Sequence, residues 1–245
     1  MTDTILRTNA IPIYGFISFI NARQLNGEIG LTLKILDCGA GGQVPPLALF
    51  YEHGFEAWGI DISEKQLELA KQYCIEKRMG IDLRKGDMRK IPFDGESFDC
   101  VYEHYSMCHL SKKDTALAIG EMRRVTRMNG LCFLGFISMD SWPKSLYGAE
   151  REPGEFWREE GEDAGLHCMF TDEEADQFVS DWEVLSKEKR MRYLRDEAER
   201  TSMDRWMEIY GEMIDNYSEE SWREQYDQRM NMFNYSHMHY ILKKP

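Results

Sequence analysis

The chain has 245 residues, of which 43 are acidic and 30 are basic, and its net charge is −13. This length suits one α/β domain of ordinary core size with additions. The acidic excess is concentrated between residues 150 and 230, where 25 Asp and Glu accompany 11 Lys and Arg. Because nucleic acids are bound by clusters of Lys and Arg, this charge argues against nucleic acid as a partner.

Two absences narrow the class of protein further. The sequence contains no apolar run of about eighteen residues and no secretory leader, so we expect neither a membrane span nor export. A cytoplasmic location is therefore predicted. The six cysteines include no C-x-x-C pair, which favours reduced thiols in the core over a metal site.

The amino-terminal segment, residues 1–32, is predicted to form a helical cap, because an apolar run near Tyr14 is weakly amphipathic. A buried strand is predicted next, at 33–37, and it ends in an acid, Asp37. The turn Gly39-Ala40-Gly41-Gly42 follows. Glycine lets a backbone turn tightly and approach a ligand closely, so this strand end is a candidate binding site.

Strands and helices alternate from here to residue 138. Further strands are predicted near 57–61, 81–85, 98–103 and 131–138, with helices near 45–53, 64–78 and 112–127. Ser63 and Gln66 form a capping box at the start of the second of these helices. The alternation implies a parallel sheet with right-handed crossovers and a pocket at the carboxyl ends of its strands.

Several blocks of this region resemble the motifs of class I S-adenosylmethionine-dependent methyltransferases. They are Asp37-x-Gly39-x-Gly41, Gly59-Ile60-Asp61-Ile62-Ser63, Gly86-Asp87-Met88 with Ser97-Phe98-Asp99-Cys100-Val101, and Glu121 to Leu131, in the family's order. The resemblance implies an α/β, Rossmann-like, seven-stranded and mostly parallel sheet with one antiparallel strand. Helices would cover both faces, with a further helical insertion. Gln43 departs from the pattern, since many relatives have a third glycine there.

The resemblance also implies a cofactor, S-adenosyl-L-methionine, and the residues that bind it. The glycine turn would bring its backbone to the methionine moiety, with Asp37 orienting the turn. Asp61 would accept both ribose hydroxyls and Asp87 the adenine amino group, while the apolar residues that follow these two acids would pack on the adenine. The complete predicted set is Asp37, Gly39, Ala40, Gly41, Asp61, Ile62, Gln66, Asp87, Met88, Glu103 and Tyr14. Tyr14 also fits a simple core position.

The segment after the fourth strand, Glu103–Leu110, is expected to line the methyl-transfer end of the pocket. His104 and His109 are the candidate catalytic bases, because histidine titrates near neutral pH. For His109 the alternative is a packing role, or a place at the start of the next helix. A base is needed only when the acceptor must lose a proton.

The remainder of the chain is less regular. Residues 139–170 are predicted to be an irregular insertion or lid, Thr171 to cap a helix, 182–193 to be an exposed strand, and 196–232 to be a helical insertion. A strand at 237–242 closes the single methyltransferase domain, running antiparallel as the resemblance implies. Aromatic residues of the loose segment would either form an acceptor pocket or attach that segment to the core: Trp142, Tyr147, Phe156 and Trp157.

The predicted function is transfer of a methyl group to a small-molecule acceptor, with no metal, nucleic acid or membrane partner and a homodimer left open. One alternative is a non-catalytic module that binds the same cofactor. A second is a nicotinamide-dependent oxidoreductase, whose G-x-G-x-x-G loop would require a third glycine at Val44. Asp37 would also repel the pyrophosphate of that cofactor.

Overall fold

The computed structural model describes residues 10–141, 144–159, 164–193 and 234–245. Five strands form a parallel sheet in the order β3-β2-β1-β4-β5. They are β1 (Lys34–Cys38), β2 (Glu56–Asp61), β3 (Asp82–Lys85), β4 (Phe98–Tyr102) and β5 (Thr126–Ser138). The carboxyl ends of these strands share one edge of the sheet, which we call the carboxyl edge.

Two long strands complete the sheet beyond β5. β10 (Asn234–Lys243) pairs antiparallel with β5 on one side and with β9 (Glu183–Tyr193) on the other. β9 therefore runs in the same direction as the first five strands. The path β3-β2-β1-β4-β5-β10-β9 contains the seven strands of the predicted, mostly parallel sheet, with β10 antiparallel, within a sheet that has ten strands among the described residues.

The prediction of an irregular segment over 139–170 is wrong. The structure has β6 (Ala149–Glu152), β7 (Glu155–Arg158) and β8 (Gly165–Phe170) there, which bring the described strands to ten. β6 and β7 form a hairpin, β7 pairs with β8, and β8 joins the end of β5 in parallel. Pro153 and Gly154 form the turn between β6 and β7, where Gly154 has a φ of +77°.

The helices cover both faces of the sheet, as predicted. They are α1 (Ala10–Leu25), α2 (Leu47–Glu52), α3 (Glu64–Lys77), α4 (Lys112–Val125) and α5 (Asp172–Phe178). Apolar side chains of α1, α2 and α3 share one core cluster, and those of α4 and α5 share another. The Ser63 side chain accepts a hydrogen bond from the Gln66 N–H, and Thr171 and Glu174 form a complete capping box.

The start of β5 also differs from the prediction. The turn expected before residue 131 is part of the strand, which begins at Thr126 directly after α4. Asn129, with φ +62°, makes an irregularity there, and the β4–β5 register shifts nearby. The last strand holds this irregularity in place, because Asn129 donates to the carbonyl of Lys244 and Lys244 donates to that of Gly130.

Three further predictions concern the whole chain. All six cysteines are buried and unpaired, which confirms their interpretation as core thiols. Within the described residues, no helix is both long and apolar enough to cross a membrane. The predicted helical insertion at 196–232, the first nine residues of the predicted cap and Trp142 lie outside the described residues.

Candidate active site

The glycine turn after β1 is held against the end of β2. The backbone N–H groups of Gly39 and Ala40 both donate to the carbonyl of Ile60, each at 2.9 Å. Gly39 has φ +144°, a conformation that side chains rarely adopt, and a Cβ there would collide with Ser106. A Cβ on Gly41 would lie 2.5 Å from Oδ2 of Asp61. Both glycines are therefore required by close approach within the protein itself.

Asp61 joins the end of β2 to this turn. Its Oδ2 accepts from the Gly41 N–H at 3.0 Å, and its Oδ1 accepts from the Ser63 N–H at 2.8 Å. Each carboxylate oxygen has a second lone-pair direction available for a ligand. The next residue, Ile62, is 61 % exposed. An acceptor and an apolar surface therefore lie side by side at the carboxyl edge.

Two acids are buried at the neighbouring ends of β1 and β4. Asp37 is paired in register with Tyr102, and Glu103 follows Tyr102 directly. Oε1 of Glu103 accepts from the N–H groups of Ser106 and Met107, at 2.8 and 2.6 Å. Oδ2 of Asp37 and Oε2 of Glu103 are buried and have no hydrogen-bond partner in the part of the chain that the structure describes.

Burial changes the pKa values of both acids. Burial raises the pKa of Glu103 to about 7, although the backbone N–H groups of Met107, Ser106 and Gly135 oppose the shift. Burial also raises the pKa of Asp37 well above its usual value, and the charges of Glu103 and Asp61 raise it further. A positively charged ligand would relieve both effects, since a buried carboxylate is costly unless it is paired.

Histidine rings gather beside this acid pair. The His104 ring lies 5.3 Å from that of His239 and 3.7 Å from that of Tyr105, between ring centroids. The His237 ring lies 4.5 Å from Tyr105. Both β10 histidines stand on the strand's α1-facing side, opposite Gly135 and its neighbours in β5. The carboxyl edge thus holds two buried acids and a cluster of imidazoles next to them.

Comparison with known proteins identifies the central part of the chain. Residues 36–134 match the family model described as "Methyltransferase domain". A solved S-adenosylmethionine-dependent methyltransferase from Methanosarcina mazei has the same fold, with a TM-score of 0.63 at 17 % identity over 90 % of this chain and 96 % of that one. Residues 36–134 therefore match a methyltransferase domain.

Curated methyltransferases match over the same part of the chain. The ubiquinone biosynthesis O-methyltransferase of Bartonella bacilliformis is 29 % identical over 123 residues, which cover 48 % of this chain and 47 % of the relative. The ubiquinone/menaquinone biosynthesis C-methyltransferase of Burkholderia cenocepacia is 33 % identical over 107 residues, which cover 44 % of this chain and 43 % of the relative. The chain therefore spans less than half the length of these relatives.

The methyltransferase domain fits its cofactor, S-adenosylmethionine, on the chemistry of its own residues. That molecule carries a positive ammonium and a positive sulfonium. The two buried, unpartnered oxygens of Asp37 and Glu103 are acceptors suited to a positively charged donor. Asp61, at the end of the neighbouring strand, retains accepting capacity.

Asp87, the predicted acceptor of the adenine amino group, is already engaged. Its two oxygens receive the guanidinium of Arg89, at distances of 2.7 to 3.1 Å, and this ion pair lowers the pKa of Asp87. Arg89 also donates to Asp114 at 2.8 Å. An adenine amino group would have to share Asp87 with this arginine. Met88 packs at the margin of the core beside it.

Three other predicted site residues have local packing or backbone contacts. The Tyr14 ring lies edge-on to His53, 6.1 Å away, so we do not assign it to the cofactor site. His109 is exposed; its Nδ1 lies 3.0 Å from the carbonyl of Leu166, and its ring is 5.0 Å from that of His167. Gln66 contacts the glycine turn through its backbone, since its carbonyl accepts from Gly42.

The aromatic residues of the insertion attach that segment to the core. Tyr147 and Phe156 are buried with Ile137 and Met169. Trp157 is 38 % exposed and lies beneath the Arg151 guanidinium. The described aromatic residues therefore support attachment of the segment to the core rather than an acceptor pocket.

Sequence reasoning missed His237 and His239 as site residues. They were assigned only to a closing strand, and nothing near them in sequence resembles a motif. Their alternation is the available signal, because residues two apart in a strand share a face. Combined with the expected antiparallel pairing, that alternation would have brought both to the carboxyl edge.

Proposed function

We propose that this protein is a methyltransferase that binds S-adenosylmethionine at the carboxyl edge and methylates a small molecule in the cytoplasm. The observation that supports it is the pair of buried, unpartnered carboxyl oxygens on Asp37 and Glu103 beside the glycine turn. In a nicotinamide-dependent enzyme the same acids would face a pyrophosphate, which they would repel. The matched domain and the fold favour the same cofactor.

Each residue of the site has a defined role in this proposal. When bound, S-adenosylmethionine supplies an activated methyl group on a positively charged sulfur. Asp37 and Glu103 accept hydrogen bonds from the positive amino group, and Asp61 accepts the ribose hydroxyls while holding the turn closed through Gly41. Ile62 provides an apolar surface for the adenine, and Asp87 shares its carboxylate between Arg89 and the adenine amino group.

The remaining task of the protein is to hold the acceptor in line with the methyl group. Restricting two reactants to one geometry removes much of the entropic part of the barrier. The segment that follows β4 is suited to this task, because Glu103 fixes the backbone of Ser106 and Met107 through its side chain. Of the two candidate bases, we favour His104, since His109 is turned toward the insertion.

Calorimetric titration tests the cofactor assignment. We expect binding of S-adenosylmethionine and S-adenosylhomocysteine but not of NADH. Asp61→Asn should weaken the binding about tenfold or more, because one accepting oxygen is replaced by a donor. The matched control is Asp82→Asn, at the partly exposed start of β3, where the side chain pairs with Arg84.

Two results would refute the proposal. One is tight binding of NADH with no response to either sulfur nucleoside. The other is unchanged affinity in Asp61→Asn, which would show that the end of β2 does not contact the ligand. Incubation with labelled S-adenosylmethionine and metabolite extracts then separates an enzyme from a binding module, since only the enzyme yields a labelled product.

A further inference from the structure

Two imidazoles lie buried together above β5. His104 is 8 % exposed and His239 is 6 % exposed. Gly135 makes room for them, because a Cβ there would lie 3.2 Å from Cδ2 of His104 and 3.6 Å from Cδ2 of His239. Phe133, two residues earlier on the same face, stacks against the His239 ring at 5.6 Å. The site is thus built by strands that are far apart in sequence.

Three of the four ring nitrogens of this pair have no hydrogen-bond partner among the described residues. Nε2 of His104 and both ring nitrogens of His239 are buried and accept or donate no hydrogen bond within the described ranges of the chain. Buried polar groups in folded proteins are nearly always hydrogen-bonded. Nitrogens in this condition are available to pair with a ligand.

The surroundings keep both rings uncharged near neutral pH. Burial lowers the pKa of His239 to about 4, with the Arg190 charge adding to the effect and Glu188 opposing it. Burial also lowers the pKa of His104, and His239, His237 and Arg190 lower it further. A neutral imidazole has one nitrogen that accepts a hydrogen bond, so the pair presents acceptors to a ligand.

The pair adjoins the cofactor site. His104 follows Glu103 in the chain, and the backbone carbonyl of Glu103 lies near Gly135 as well. The next residue, Tyr105, has φ +68°, a left-handed conformation that costs energy outside glycine and is concentrated at functional sites. The histidine pair is therefore beside the region where an acceptor must meet the methyl group.

We propose that His104 and His239 form the acceptor subsite and that this subsite takes an acceptor bearing a hydroxyl group, whose proton is received by an imidazole nitrogen. This inference depends on the proposed methyltransferase function. The hydroxyl proton passes to the imidazole, the acceptor oxygen bonds to the transferred carbon, and the electrons of the broken carbon–sulfur bond remain on sulfur. The imidazolium then releases its proton to solvent.

Two other ligand classes fit the pair less well. A protonated amine adds a positive charge beside the sulfonium and in the field of Arg190, whereas a hydroxyl arrives uncharged and the imidazolium forms only as the sulfonium charge is lost. A metal ion needs several ligands in a defined geometry, and among the described residues no group of three His, Cys, Asp or Glu side chains is arranged to hold one.

Nuclear magnetic resonance of the histidine rings tests this subsite without requiring turnover. The full chain, saturated with S-adenosylhomocysteine, is titrated with hydroxylated aromatic probes (catechol, quinol and 4-hydroxybenzoate) and with amines that are protonated near neutral pH (benzylamine and 2-phenylethylamine). We expect a hydroxylated probe to shift the ring signals of His104 and His239 and the amines to leave them unmoved. Ring signals that respond only to amines, or to no hydroxylated probe, would overturn the inference.

Substitution separates this inference from the cofactor assignment. His239→Gln keeps a hydrogen-bonding side chain but cannot take up a proton, and His53→Gln, against Tyr14 after α2, is the matched control. In His239→Gln we expect unchanged S-adenosylhomocysteine affinity, loss of the probe shift at His104, and about a hundredfold slower methylation of any hydroxylated probe. Normal cofactor binding with normal methylation would refute the subsite alone, whereas absent cofactor binding in the unmodified protein would refute both proposals.

Discussion

A single buried side chain, Glu103, couples the stability of the protein to its ligand site. Its pKa is about 7 in the folded protein against an ordinary value of 4.5, so the folded state holds the proton more tightly than the unfolded state. Stability therefore falls as the pH rises from about 4.5 to about 7. In the proposed function this cost is compensated when the positive amino group of the ligand pairs with the ionised carboxylate.

Glu103→Gln should remove this pH dependence. At pH 8 we expect the free energy of unfolding to increase by as much as about 3 kcal/mol, because the buried charge is gone. At pH 4.5 the substitution should change it little, since both side chains are neutral there. Urea unfolding at the two pH values measures the difference, and calorimetry should show weaker S-adenosylmethionine binding. Equal changes at both pH values would contradict the shifted pKa.

Candidate site residues inside short motifs could be predicted from the sequence. Residues that become neighbours only through the pairing register of two distant strands could not. Asp37 and Asp61 each end an apolar strand, and the sequence shows both the acid and the glycines beside it. The juxtaposition of His104 and His239 depends on which residue of β10 pairs with Gly135, a register that is determined by long-range packing. The engagement of Asp87 by Arg89 likewise depends on a side-chain conformation.

At the scale of the element, the glycine turn is held by steric fit. Gly39→Ala should destabilise the protein by about 1 to 3 kcal/mol, because a methyl group would collide with Ser106 and strain the backbone at φ +144°. Thermal or urea unfolding measures the loss.

Gly120→Ala provides the matched control for this substitution. Gly120 lies within α4, and no atom is within 4 Å of a Cβ placed there. Alanine is favoured over glycine inside a helix, so this variant should gain about 0.5 to 1 kcal/mol. If Gly39→Ala were as stable as Gly120→Ala, the proposed steric requirement at the turn would be wrong.

The short helix α5 depends on its amino-terminal cap. The Thr171 side chain accepts from the Glu174 N–H, and Glu174 accepts in return from the Thr171 N–H. Thr171→Ala should cost about 1 kcal/mol of unfolding free energy. Thr171→Ser, which keeps the hydroxyl, should restore most of it in the same urea titration, and failure of serine to do so would indicate that the methyl group is what matters.

Elements with strong periodicity were predicted well, and the β6–β7 hairpin was not. Helices such as α3 carry a cap and a buried face that repeat at helical spacing. The hairpin strands are four residues long and rich in acids, and β6 is exposed throughout. They contain too few apolar residues to show the two-residue alternation that indicates a strand. They are strands because Phe156 packs into the cluster with Ile137, which sequence alone does not reveal.

At the scale of the whole molecule, the net negative charge predicts that the protein does not bind nucleic acids. With a charge of −13, we expect no retardation of duplex DNA or structured RNA in electrophoretic mobility assays, even near 50 mM salt. A basic protein of similar size serves as the positive control. Retardation that weakened steeply with salt would show that a local basic surface outweighs the acidic total.

Cofactor binding should stabilise the entire fold, because the site joins the ends of β1, β2 and β4. A ligand present at about one hundred times its dissociation constant stabilises by about 2.7 kcal/mol, which raises the melting temperature of a chain of this size by roughly 5 to 10 °C. We expect this shift with S-adenosylhomocysteine and none with NADH.

The shift in melting temperature at a fixed ligand concentration should be larger at pH 8 than at pH 6, since Glu103 accepts a hydrogen bond from the ligand's amino group best when it is ionised. A shift of the same size at both pH values would place the amino group away from Glu103, and Glu103→Gln should abolish the pH difference if the assignment is correct.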